Sequence, residues 1–309
     1  MIYEFAIAPE IVNSRDTLRY FADQSGAQHG RLIARLPGKW EKKVIQSSKQ
    51  AGRCGDVELK WIVERLRTMK DKFVDLGRHY SDDASWLENA EREHQRVPFR
   101  LIVSNKNPQE RDFIATSDQI DDRHPLWHVE RDRIIERTAE NIAECAGMLL
   151  HISSIGLFID PHFNPEERRF RDSLAACLRV LAHVDQLDRI ELHTKSDIHI
   201  QGTWDHWEGL CKDRLARLVP SGRNLKIVVW GGRERGEPGD RPHARYILTD
   251  RGGIRYDYGL DTGRQGETTD VTLLDTEVYQ RRWREYQNET AAFDKIHEVL
   301  ISGTLTVDR

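Results

Sequence analysis

The sequence is poor in sulfur, with four cysteines and three methionines among 309 residues. Cys54, Cys145, Cys177 and Cys211 stand far apart, and no two form a CxxC pair. That spacing argues against a disulfide framework or a cysteine-rich zinc module. Cys145 and Cys177 fall in apolar helical patterns, as reduced core thiols do. No apolar run reaches the length that crosses a bilayer. The opening MIYEFAIAPE is acidic and lacks the charged-then-apolar layout of a secretory signal. A soluble, cytoplasmic protein is expected. The net charge of −4 supplies no global attraction to nucleic acid or to an anionic membrane, so any such binding needs a local basic patch.

Several catalytic signatures are missing too. Gly231-Gly232 and Gly252-Gly253 fit neither a dinucleotide fingerprint nor a P-loop, and no HExxH occurs. His199 and His206, with Asp197 and Asp205, are seven apart, a spacing that does not set the two histidines next to each other on a helical face, so neither a metal nor a cofactor is expected. Cysteine-protease chemistry has no local signature.

What is present is a highly charged but globular balance, 38% hydrophobic and 32% charged, in a chain long enough for one large domain or two ordinary ones. In the first part, strands are expected at residues 2–8 and 98–103, with a further apolar stretch at 31–36. Helices are expected at 40–50, Val57–Leu76 and Ser85–His94. The polar break Asp121-Asp122-Arg123-His124-Pro125 marks a candidate boundary. Residues 1–122 therefore read as a mostly helical α+β region, and 123–309 as a second domain.

The second part alternates. A helix is expected from Val129 to Gly147, then a continuous apolar strand within Met148–Ile159, a helix opened by Glu166-Glu167, a strand at Arg189–Thr194, a helix near Asp205–Leu218 and a strand at Leu225–Trp230. The polar loop Gly231–Asp240 comes next. A strand at Asp270–Leu274 and one long helix over Thr276–Leu300 close the chain. This β-α-β-α-β order predicts an α/β fold, a mixed, mostly parallel sheet flanked by helices. Ligands in such sheets collect at the carboxyl ends of the parallel strands, where Asp160, His162, Thr194, Lys195 and Trp230 fall.

The most informative stretch is HARYILTDRGGIRYDYGLD, His243 to Asp261. His243 and Arg245 stand two apart at the head of a strand, so alternation puts both on one face. Asp250-Arg251-Gly252-Gly253 reads as a hairpin turn, and the returning strand Ile254–Tyr258 delivers Gly259-Leu260-Asp261 near the base of the first. An imidazole, a fixed cation and an acid would converge there, as a phosphate site requires.

These residues resemble the His-x-Lys-x4-Asp signature of the phospholipase D superfamily. They are more similar still to the phospholipase-D-like C-terminal domain of MIT-domain-containing proteins and related bacterial proteins. There, a His-x-Arg strand, a glycine hairpin and a Gly-Leu-Asp end follow one another. Ile159-Asp160-Pro161-His162-Phe163 matches an upstream element of that pattern, with His162 in place of the usual Tyr. The likeness covers roughly the last 180 residues and says nothing of about the first 120, by the usual domain-size prior. It implies a metal-independent phosphodiesterase, most readily a nuclease. His243 would attack phosphorus, and a second histidine, either His162 or one from the partner of a homodimer, would protonate the leaving oxygen. The related bacterial chains resemble parts of antiviral defence systems, which implies a protein partner in a defence complex.

Two positions depart from the superfamily. Arg245 replaces its Lys, keeping the charge and adding a bidentate fork. Asp261 stands where an Asn would help bind phosphate. A carboxylate there repels an anion unless it pairs with His243 or Arg245, and pairing with Arg245 would merely close a turn. Other assignments are equally two-sided. Asp160 either orients a histidine or caps the following helix; Lys195 supplies a phosphate cation or is an ordinary exposed lysine. Asp270 or Glu267 backs His243 or is solvated. Asp250 and Gly259 complete the motif as supporting residues. Arg281-Arg282-Trp283-Arg284 and the cationic region 31–53 are weaker candidates for nucleic-acid contact. The rival reading is a catalytically inactive module that binds nucleic acid, lipid head groups or a protein partner.

Overall fold

The computed structural model describes residues 1–50, 55–196, 203–231, 244–287 and 290–306. Cys54, Asp197, His199, Gly232 and, above all, His243 lie outside the described residues. The chain divides into two compact units, Met1–Glu130 and Arg131–Arg309.

The first unit runs β1 (Tyr3–Ile7), α1 (Arg15–Gln24), β2 (Arg31–Ala34), α2 (Trp40–Gln50), α3 (Asp56–Thr68), β3 (Phe73–Val74), α4 (Trp86–Arg96), β4 (Leu101–Ser104) and β5 (Ile114–Thr116). Its five strands form one sheet in the order β3-β2-β1-β4-β5, and every pairing is parallel. The region expected to be mostly helical α+β is thus a parallel α/β layer. The reason is visible in burial: β2 and β4 are buried at every position, as strands covered on both faces are. The helix expected over Val57–Leu76 stops at Thr68, because Phe73 and Val74 leave it to pair with β2. Ser85 and Glu88 form a reciprocal capping box that starts α4.

The second unit runs β6 (Asp132–Glu136), α5 (Ala139–His151), β7 (Ile155–Ile159), α6 (Arg168–Ala182), β8 (Arg189–Lys195), α7 (Trp204–Leu215), β9 (Asn224–Gly231), β10 (Arg245–Thr249), β11 (Gly252–Tyr256), β12 (Thr268–Leu273), α8 (Thr276–Glu285) and β13 (Asp294–Ser302). Its eight-stranded sheet has the order β13-β9-β8-β7-β10-β11-β12-β6. The mixed sheet is as expected, but among its described strands β7, β8 and β9 alone pair in parallel; the flanking pairings are antiparallel.

Three elements differ from the sequence expectation. The stretch read as a helix from Val129 begins with the edge strand β6, whose burial alternates with period two. The helix starts only where the Thr138 side chain accepts from the Asn141 N–H. Gly147 lies inside α5, and the apolar run LLHISSIGLFID is divided between helix and strand at Ser153, whose Oγ donates to the Leu149 carbonyl at 2.6 Å. The long final helix ends at Glu285; Val299 and Ile301 alternate into the core as β13 pairs with β9.

Two layers cover this sheet. On one side, Tyr286 and Phe293 pack with Trp230, Tyr246 and Leu248. On the other, Ile142 of α5 and Phe170, Leu174 and Cys177 of α6 surround Phe158, Leu192 and Ile247. Cys145, Cys177 and Cys211 are buried and unpaired, and burial pushes the Cys177 thiol up to about 12, which keeps it protonated and inert.

The first side also encloses a charged group. Trp230 Nε1 donates to His193 Nδ1 at 2.9 Å, which leaves His193 Nε2 to donate to Glu191 at 3.0 Å. Burial would raise the Glu191 carboxyl, but the bond from His193 and the Lys226 ammonium outweigh it and hold the group down at about 2. A depressed carboxylate stabilises the fold above its unfolded value of 4.5, and that stability is lost as pH falls toward 2. Glu191→Gln is therefore expected to cost about 2–3 kcal/mol at pH 7. Its urea midpoint should converge with that of the unsubstituted protein near pH 2; parallel pH profiles would contradict this.

Candidate functional site

The carboxyl end of β7 organises the site. Tyr246 lies opposite Ile159 in the β10–β7 ladder, so the next step sets Arg245 opposite Asp160. Residues directly opposite on paired strands project to one face, and Arg245 and Asp160 therefore face the same way.

Asp160 is 1% exposed. One carboxylate oxygen accepts the His162 N–H at 2.9 Å and the other accepts the Leu260 N–H at 2.9 Å. Its own N–H donates to the His193 carbonyl at 3.0 Å. Asp160 thus pins the Gly259-Leu260-Asp261 loop to the strand end. It does not cap α6, whose N-cap is Glu167. Burial pushes the Asp160 carboxyl up; the two N–H donors and the Arg245 charge oppose this, and Asp261 adds to it.

Gly259 has φ of +134°, and a Cβ there would stand 2.5 Å from an Asp261 oxygen. Only glycine fits this turn without strain. Asp261, 4% exposed, accepts from Arg137 Nη2 at 2.7 Å and from Arg169 Nη1 at 2.9 Å. Neither partner is the one expected. Asp261 does not pair with Arg245 among the described hydrogen bonds, because both carboxylate oxygens are held by guanidiniums from the end of β6 and the first turn of α6. The same two residues accept backbone bonds from the loop, Thr262 N–H to the Arg169 carbonyl and Gly263 N–H to the Arg137 carbonyl. Arg137 also pairs with Glu267 at 3.4 Å, so Glu267 belongs to this cluster.

Arg245 itself is half-buried. Among the described residues its Nη1 donates to the Asp257 carbonyl at 3.4 Å, and its buried Nε has no hydrogen-bond partner. A guanidinium with spare donors, facing a buried carboxyl, has the chemistry to take an anion.

Three expected members fall elsewhere. Asp250 sits in the two-residue turn between β10 and β11, at the far end of β10, about 16 Å of extended chain from Arg245. It accepts from the Ser154 N–H, the Ser154 hydroxyl and the Ile155 N–H at 3.0–3.2 Å, a clip on the start of β7. Asp270 is exposed and alternates away from Val271, which shares the face of Tyr256 and Arg245. It therefore projects from the opposite side of the sheet. Lys195 ends β8 opposite Trp230; alternation gives the Asp160 face to Thr194, not to Lys195. The His162 ring is half-buried beside Asp160. Arg137 and Arg169 were not anticipated, although the run Arg168-Arg169-Phe170-Arg171 after the strand-end Asp-Pro was a visible sign of cations near the site.

Among the described residues, no group of three or more His, Cys, Asp or Glu side chains is arranged to hold a metal, and no helix is long and apolar enough to cross a membrane.

No family model matches the sequence, and no curated protein matches it. Solved structures similar to this chain at low level include these two. One is Nuc from Salmonella typhimurium, a phospholipase D family member, at 6% identity and a TM-score of 0.33, covering 54% of this chain and 97% of that one. The other is TrmBL2, an archaeal chromatin protein whose structure shows a mode of DNA binding, at 13% identity and a TM-score of 0.30, covering 91% of this chain and 81% of that one. At these scores neither carries an argument about this chain, and the site rests on its own geometry.

Proposed function

We propose that the second unit is a phospholipase-D-like phosphodiester site acting without metal, with nucleic acid as substrate. The observation that carries this reading is the meeting of Arg245, the Asp160 carboxyl and the 259–261 loop at the carboxyl end of β7. His243, two residues before Arg245 in the sequence, is the candidate nucleophile. Its ring nitrogen would bond to phosphorus as the bond to the leaving oxygen breaks. That oxygen would take a proton from His162 or from a histidine of a second copy, and water would then release the phosphoryl group from His243. Arg245 would stabilise charge on the non-bridging oxygens. A homodimer and a protein partner in antiviral defence belong to the same reading.

The fixed pairing of Asp261 favours a second reading, a module that binds phosphodiesters without cleaving them, because the position of a phosphate-binding Asn is committed to two arginines. Cleavage of single-stranded nucleic acid and bis-p-nitrophenyl phosphate in EDTA separates the two. Turnover abolished by His243→Ala supports catalysis; binding with no turnover supports the module. Turnover that requires added Mg²⁺ contradicts the metal-free chemistry.

A further inference from the structure

Resting on the phosphodiester reading, we infer that Arg169 is a second phosphate contact of the same site and that Asp261 holds it in reserve. Arg137 and Arg169 bond the same carboxylate, but their surroundings differ. The Arg137 side chain is 11% exposed, closed between Asp261 and Glu267. The Arg169 side chain is 49% exposed. It gives Nε to Glu167 at 2.6 Å and Nη1 to Asp261 at 2.9 Å, while its Nη2 makes no hydrogen bond among the described residues. Asp160 also lies within electrostatic reach of Arg169, as it does of Arg245. The two guanidiniums thus act on one buried carboxyl.

Charge makes the exchange feasible. Asp261 has one oxygen for each arginine, so releasing Arg169 leaves it still paired with Arg137 and does not strand a buried anion. Arg169 would swing from a carboxylate to a phosphate oxygen, trading one charge-assisted bond for another. Two cations on one edge suit a chain with successive phosphates better than an isolated phosphate.

The test is binding of a labelled single-stranded oligodeoxynucleotide to the full chain across a salt series, all variants carrying His243→Ala so that the probe is not consumed. Arg169→Gln should weaken binding about tenfold and lower the salt slope by about 0.7, one phosphate contact on a single strand. Arg169→Lys should keep most of the slope. Asp261→Asn frees Arg169 and should tighten binding several-fold, and adding Arg169→Gln should abolish that gain, which removal of a repelling charge alone would retain. Arg137→Gln should lower the thermal midpoint and also weaken binding, because Arg169 is then the remaining partner of a buried carboxylate and is no longer easily released. If Arg245→Gln weakens binding while Arg169→Gln and Asp261→Asn change neither affinity nor slope, the inference is overturned and the phosphodiester reading stands. If the Arg169 and Arg245 variants both bind like their parent, or the parent does not bind, the reading itself fails.

Discussion

Asp160→Ala is expected to destabilise the second unit by about 3–5 kcal/mol, since it strips acceptors from two N–H groups at once, each about 1–3 kcal/mol when left unsatisfied in a buried place. The His162 and Leu260 N–H groups both donate to this one carboxylate. The consequence reaches further than stability. Asp160 also forms the strand end that Arg245 faces, so its loss unsettles the place where a phosphodiester would sit. Phosphodiester binding should fall together with the urea midpoint. Asp160→Asn sharpens the test, because an amide offers an acceptor to one N–H and turns its own donors toward the other. It should lose more than half of the Ala effect despite its matching shape. A loss below about 1 kcal/mol for Asp160→Ala would show that the strand end and the loop stand independently.

Arg78→Ala should cost the first unit about 3–5 kcal/mol by leaving a buried carboxylate unpaired. The Arg78 side chain is 1% exposed. It bonds both oxygens of Glu4, donates to the Val97 and Glu93 carbonyls at 2.6 and 3.2 Å, and stacks on Phe99 with its guanidinium 4.0 Å from the ring. Glu4, the second residue of β1, is 4% exposed. Burial pushes its carboxyl up, and Arg78 is the main opposing influence. Without Arg78 the carboxyl should rise further. A raised folded value means the penalty is felt at pH above it and fades in acid, so the variant should recover part of its deficit as pH falls. Arg78→Met combined with Glu4→Leu should regain much of the loss, since removing both charges leaves no orphan. Additive losses in the double variant would contradict the pairing.

The legibility of this protein in its sequence follows the range of the interactions concerned. The units β7-α6-β8-α7-β9 and the β10–β11 hairpin follow from local periodicity, the glycines and the polar breaks. Asp160 and Arg245 could be brought together by counting alternation along two strands. The edge strands β6 and β13 could not, because half-exposed segments such as Asp132–Glu136 carry little hydrophobic signal and become strands only by pairing with β12 or β9. The same holds for the parallel sheet of the first unit, where β3 has two residues and takes its identity from β2. Arg78, Arg137 and Arg169 were invisible for a related reason. Long flexible cations choose partners across the fold, and Asp261 meets Arg137 124 positions away in the chain, where spacing gives no hint. Lys195 and Asp270 were placed at the right strands but on the wrong faces, since one step in register reverses a side chain.

The central claim, that Arg245 at the head of β10 binds a phosphodiester beside the end of β7, is tested most directly by oligonucleotide affinity in EDTA for the unsubstituted protein and for Arg245→Gln. The account predicts measurable binding that weakens about tenfold or more in the variant, with a shallower salt dependence and an unchanged thermal midpoint. Equal affinity and equal salt slope for the two proteins would contradict it.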